Sequence, residues 1–115
     1  MAGIEGLDQF LQFTDSLADE IESEAKKLIM KTAFQTEGSA KRLTPVDTGH
    51  LRRSISTKIE NGGLKATVST NIEYAMAVEY GTSKQMAQPY MTPAYVKYKK
   101  KFEDGMEEIL RKASD

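Results

Sequence analysis

Cysteine and tryptophan are absent from this 115-residue sequence, histidine occurs once, proline three times, and no apolar run is long. Each shortage excludes something. Without cysteine there is no disulfide and no thiolate zinc site, which leads to the expectation of a reduced, cytosolic protein. A lone imidazole, His50, is a poor start for a histidine metal site. A membrane helix needs about 20 consecutive apolar residues, and none are found together here. The opening Met-Ala-Gly-Ile-Glu-Gly lacks the basic region and apolar core of a secretory signal. Neither a phosphate-cradling glycine loop nor a calcium-loop pattern is present. No cofactor is expected.

What remains is an ordinary globular composition, 39% hydrophobic and 29% charged, in a chain of single-domain length. One domain over residues 1–115 is the expectation. The net charge of −1 hides an uneven distribution. Glu5, Asp8, Asp15, Asp19, Glu20, Glu22 and Glu24 give residues 1–25 seven acids and no base. The other residues carry ten acids and sixteen bases, so the two parts are −7 and +6. Two readings are open: acids favoured at a helix start by the macrodipole, or opposite poles that attract in an assembly.

Apolar residues at three- and four-residue spacing (Leu7, Phe10, Leu11, Leu17, Ile21, Ala25, Leu28, Ile29, Thr32) predict one long amphipathic helix over about 7–43. Gly38 marks a possible break, and Pro45 sets the stop by disfavouring helix at Thr44. Met30 and Phe34 share a face roughly opposite Ala25 and Leu43. Either the helix is buried on both sides there, or the pair contacts a neighbouring subunit. Alternation over 55–60 and 64–70, with Ile55, Thr57 and Ile59 on one side and Leu64, Ala66 and Val68 on one side, surrounds Asn61-Gly62-Gly63. This predicts a β-hairpin, within about 52–70. Residues 72–80 fit a strand or two helical turns, and 81–88 read as an exposed loop. Thr92-Pro93 looks like a helix start, with a hydroxyl cap and proline in the first turn. Tyr95, Tyr98, Phe102, Met106, Ile109, Leu110 and Ala113 then carry an apolar stripe over about 93–113, with Gly105 as a soft point. The class is α+β: a long N-terminal helix, a small antiparallel sheet and a C-terminal helix.

Catalytic constellations are weak. His50, Asp47, Thr48 and Ser54 lie in one turn with no nucleophile elbow, so a solvated turn histidine explains them better. Asp47 suits an Asx-type turn, and Gly49 can supply positive φ. Lys97, Lys99, Lys100 and Lys101 with Tyr95 and Tyr98 could touch nucleic acid, although a solvated helix face explains them as well.

Two segments carry more information together. Thr-Pro-Val-Asp-Thr-Gly-His-Leu-Arg-Arg-Ser-Ile (44–55) follows the long helix. Tyr74-Ala75, Val78-Glu79-Tyr80-Gly81-Thr82 and Gln88-Pro89-Tyr90-Met91-Thr92-Pro93-Ala94 precede the last one. Over residues 7–113 this order resembles the siphophage minor tail-component family of head–tail joining, or tail-completion, proteins. That family carries "P-V-D-T-G-x-L-R-x-S" and "Y-A-x-x-V-E-[YF]-G-T … P-[FY]-[ML]-x-P-A"; Tyr90 stands where phenylalanine is common. The resemblance implies a non-enzymatic assembly protein of the virion neck, made in the host cytoplasm. It implies a homo-oligomeric, hexameric ring on the tail tube that meets the head connector, with no membrane and no specific nucleic acid. The motif residues Pro45, Asp47, Thr48, Gly49, Leu51, Arg52, Arg53, Tyr74, Glu79, Gly81, Thr82, Pro89 and Pro93, together with Met30 and Phe34, are the candidate interface. Leu51 can anchor the turn to the core. Arg52 and Arg53 can reach carboxylates at a subunit seam, with Glu79 a candidate acceptor. The loop 81–89 is long enough to reshape on assembly.

Overall fold

The computed structural model describes residues 19–45 and 49–113. Helix α1 (Asp19–Leu43) is the hub. It begins with Asp19, Glu20 and Glu22 and ends with Lys41 and Arg42, the charge order that a helix dipole stabilises. The part of the expected helix before Asp19 lies outside the described residues. The buried side is built of small residues around one large one: Ala25, Ile29, Thr32, Ala33, Thr36, Ser39 and Ala40. Small side chains let neighbouring elements approach the helix closely, and α1 packs against both the hairpin and the last helix. The buried Thr36 hydroxyl donates to Thr32 O at 2.8 Å, so burial leaves it partnered.

The helix runs through Gly38 without a break. A glycine in a helix interior costs up to about 1 kcal/mol, and the packing of Thr36, Ser39 and Ala40 around it offsets that cost. The stop falls as expected before Pro45. Thr44 closes the last turn, with its N–H 3.1 Å and its hydroxyl 2.7 Å from Ala40 O. Leu43 is exposed rather than part of the core stripe, although Ala40 and Thr44 in the same turn are buried.

A short helix α2 (Gly49–Ser54) occupies the place where the hairpin was expected to begin. Strand β1 (Ser56–Glu60) starts later and pairs with β2 (Lys65–Ser69). Leu51 is fully buried, and Ser54 Oγ donates to Leu51 O at 2.6 Å, so the apolar anchor and the serine both favour one helical turn. Gly49 opens that helix. Positive φ occurs instead at Gly62, Gly63, Gly81 and Asn61, so no left-handed conformation is required at Gly49. The Asx-type turn at Asp47 lies outside the described residues.

The hairpin matches expectation. Its two antiparallel strands pair Thr57 with Val68 and Ile59 with Ala66. The connection Asn61–Gly63 has positive φ throughout, at 55°, 65° and 101°. Gly63 rests against the Lys26 side chain, and Thr57 Oγ1 donates to Glu37 Oε1 at 2.7 Å. The hairpin therefore lies along α1 with its tip toward the helix start. Leu64, Ala66 and Val68 are buried, whereas Ile59, expected on the same apolar face, stands on the outer strand and is partly exposed.

Residues 75–80 resolve as helix α3 (Ala75–Tyr80), and α4 (Met91–Ala113) completes the fold. Helix α4 runs antiparallel to α1. Gly105 lies against Leu28, where a Cβ would stand 2.8 Å from Leu28 Cδ2, so its place in the helix has a packing reason. Tyr98, Phe102 and Met106 face the core. Leu110 and Ala113, expected in the same stripe, are exposed.

Candidate assembly interface

The second motif is held together by one carboxylate. Glu79 is only 5% exposed. Its Oε1 accepts the N–H of Tyr90 at 3.2 Å and of Met91 at 2.9 Å, and its Oε2 accepts Thr92 N–H at 3.1 Å. These are the donors that a helix start leaves without intrahelical partners, and Pro93, next in line, has no N–H to satisfy. Glu79 thus caps α4 from another element and places a negative charge at the positive end of its dipole. This corrects two expectations. The helix starts at Met91 rather than with Thr92 as its cap, because the cap is Glu79. Nor is Glu79 a partner for Arg52 or Arg53, since its oxygens are engaged by backbone N–H groups.

Tyr90 reinforces the join. Its ring is fully buried and its hydroxyl donates to Ala75 O at 3.2 Å. Burial first, then the charge of Glu79 and the proximity of Tyr80, push its pKa up to about 12. Between the two ends, the loop is closed by local bonds. Gln88 N–H donates to Val78 O at 2.8 Å, and Thr82 N–H donates to Gln85 O at 2.8 Å. Gly81 has φ 76°, and a Cβ there would stand 2.7 Å from Ala87 N. Thr82 and Pro89 are exposed on this loop, and Pro93 is exposed on the first turn of α4.

The first motif is also turned inward more than expected. Arg52 Nη2 donates to Thr44 O at 3.1 Å, beside the C-terminal end of α1. That position suits a cation on dipole grounds as well. Its Nε is buried with no hydrogen-bond partner among the described residues. Arg53 is exposed. Pro45 is half-buried, while Asp47 and Thr48 lie outside the described residues. His50 is exposed, and the Ser54 hydroxyl is bonded to Leu51 O and to the Thr70 hydroxyl rather than to an imidazole.

Among the described residues several large apolar side chains face solvent, and two groups of them bear on assembly. Met30 is 44% exposed and Phe34 49%, so α1 is not covered on that side and the two-sided burial reading fails. The second group went unnoticed in the sequence. Met76 is 51% exposed, Tyr80 65% and Met86 85%. Met76 and Tyr80 are four residues apart on α3 and so share a face. The ambiguity of residues 72–80 between strand and helix hid that spacing. Tyr74, just before α3, is also exposed.

The lysines of α4 lie across aromatic rings: Lys97 and Lys101 over Tyr98, each 5.4 Å from its centroid, and Lys99 over Tyr95 at 6.0 Å. Tyr98 is buried, so it offers no free face on which a base could stack. The geometry favours a solvated face with snorkelling lysines. Among the described residues no cluster of acids and histidine suits a metal, and no helix is long and apolar enough to cross a membrane.

A protein-family model described as "Bacteriophage HK97-gp10, putative tail-component" matches residues 8–81. The match takes in the first motif and the second as far as Gly81, and it stops before the loop and α4. Comparison with curated proteins and with solved structures gives no match. With nearly two-thirds of its length matched, the chain belongs to the HK97-gp10-like family of bacteriophage tail components and is a structural protein of a phage tail.

Proposed function

We propose that this tail component completes the tail. In this reading it forms a homo-oligomeric, hexameric ring on the end of the tail tube and joins it to the head connector in the virion neck, after folding in the host cytoplasm. It acts by binding, and no catalytic step is assigned to it. The observation that carries the reading is the Met30–Phe34 face: two large apolar side chains one turn apart on the longest helix, both left uncovered. A tail component works among other structural proteins, and an uncovered apolar face on such a protein suits a neighbouring subunit. Exposed charges alone add little, roughly 1 kcal/mol or less per pair, so the apolar pair should dominate any single Arg or Glu.

The test is the Met30→Ala/Phe34→Ala double variant, followed by thermal unfolding and by complementation of a phage lacking the gene. The expected result is an unchanged melting temperature together with separate heads and tails in electron micrographs. A stability loss above about 3 kcal/mol, typical of core truncations, would mean the pair is core and the interface is elsewhere. Normal yields of joined particles would remove the neck reading.

A further inference from the structure

We propose that the groove between α1 and α4 receives the apolar stripe of residues 7–18 from a second copy of the chain. The inference rests on the reading of this tail component as self-assembling, and it names a contact separate from the Met30–Phe34 face.

The groove follows the seam of the two long helices and has a volume of about 690 Å³. Ile21 and Leu28 line it from α1, and Gly105 and Ile109 line it from α4. All four are only half-buried, so an apolar floor is left in reach of solvent. Leu28 rests against Gly105, so the helices touch along this seam. The rim decides what kind of occupant fits. It carries Lys27, Lys31, Lys101 and Lys112 against Glu20, Glu24 and Glu108, a surplus of one positive charge. Glu24 is paired with Lys27 at 3.4 Å and Glu108 with Lys112 at 3.1 Å, so two of the three carboxylates are already matched within the rim. The aliphatic floor offers no ring on which a nucleobase could stack, and the carboxylates disfavour phosphate. An apolar helix stripe flanked by acids suits both floor and rim.

Residues 7–18, which lie outside the described residues, have that chemistry in their sequence. Leu7, Phe10, Leu11, Thr14 and Leu17 recur at helical spacing, and Asp8 and Asp15, two turns apart, share one flank of the stripe. Residues 1–18 carry Glu5, Asp8 and Asp15 and no base. Length fits as well. Leu7 to Leu17 and Ile21 to Lys31 are the same number of residues, about 15 Å of helix.

Connectivity selects a second copy. Residue 18 joins Asp19, where α1 begins. To lie in its own groove, the stripe would have to reverse direction between Leu17 and Asp19. Residues 7–37 contain neither glycine nor proline to favour such a reversal. The stripe instead keeps the register of Ile21, Ala25 and Leu28, which predicts a continuation of α1 past the end of α4 at Ala113, away from its own groove. Segment and groove are different surfaces of one chain, so seating each segment in the groove of the next copy gives the heterologous contact that a ring requires.

The lack of native cysteine makes the test direct. Thr14→Cys places a thiol on the stripe, and Glu108→Cys places one on the exposed rim. The two variants, one of them size-tagged, are mixed and treated with a short bismaleimide, both as purified protein and in tails assembled during infection. The expected product is the mixed cross-linked dimer, in large excess over either homodimer. A chain carrying both thiols should give intermolecular ladders. Lys31→Glu/Lys101→Glu should lower the yield several-fold, and adding Asp8→Lys/Asp15→Lys should restore it. A doubly substituted chain that links only within itself would show a folded-back segment and overturn the inference. Tails that assemble normally without the mixed product would also overturn it, while leaving the Met30–Phe34 contact intact. Wild-type protein that stays monomeric at every concentration and within tails would remove the self-assembly reading and this inference with it.

Discussion

Replacing Glu79 should damage the protein far more than its place on a six-residue helix suggests. Its carboxylate is buried and accepts three backbone N–H groups at 2.9–3.2 Å. A hydrogen bond to a charged group contributes about 1.5–3 kcal/mol, and a buried donor left without a partner costs about 1–3 kcal/mol. The three bonds share one side chain and are not additive, and the one from Thr92 is only part-buried. The expected loss for Glu79→Ala is therefore about 3–5 kcal/mol, the range seen when one partner of a buried charged interaction is removed. Glu79→Gln keeps one oxygen for Tyr90 and Met91 but turns an NH2 toward Thr92 and removes the charge at the helix start. Its expected cost is about 1–2.5 kcal/mol. Chemical denaturation followed by circular dichroism gives these values from the shift in midpoint at constant slope. Hydrogen exchange supplies the local readout, because the amides of residues 90–92 should lose protection in both variants. A change below about 0.5 kcal/mol for Glu79→Ala, the ordinary range for surface substitutions, would refute the cap.

Gly81→Ala should cost at least about 1–3 kcal/mol, since an alanine there must adopt positive φ and its Cβ would meet the backbone of Ala87 and Gln85; calorimetry measures the drop. Gly49→Ala should be neutral or stabilising by up to about 1 kcal/mol, because Gly49 is helical and its Cβ would meet only the flexible end of Arg53. Tyr90 makes stability fall at high pH. Its folded pKa of about 12 lies above the ordinary 10, so the folded state holds the proton longer. The stabilisation is complete below pH 10 and is lost as pH rises toward 12, by at most about 1.4 kcal/mol per pH unit. Tyr90→Phe should flatten that part of the stability–pH curve relative to the parent; identical curves would contradict the shift.

The two long helices and the hairpin between them were legible in the sequence because they follow from local rules, whereas the short helices Gly49–Ser54 and Ala75–Tyr80 were not. The 3.6-residue period of Ala25, Leu28, Ile29 and Thr32 and the alternation on both sides of Asn61-Gly62-Gly63 report which face each segment buries. Pro45 acts on its immediate neighbour. The family motifs were legible as strings of residues, but not as roles. Glu79 was read as a partner for arginine, and Gly49 as a turn residue, because both readings considered only nearby sequence and residue type. The tertiary structure decided otherwise by bringing Glu79 to the start of a helix twelve residues later, where its oxygens meet the N–H groups of Tyr90, Met91 and Thr92. Exposure was likewise beyond periodicity. Leu43, Ile59 and Leu110 lie on apolar stripes yet face solvent. A stripe says which side of an element would be buried, and only the placement of its neighbours determines where along that element the cover ends.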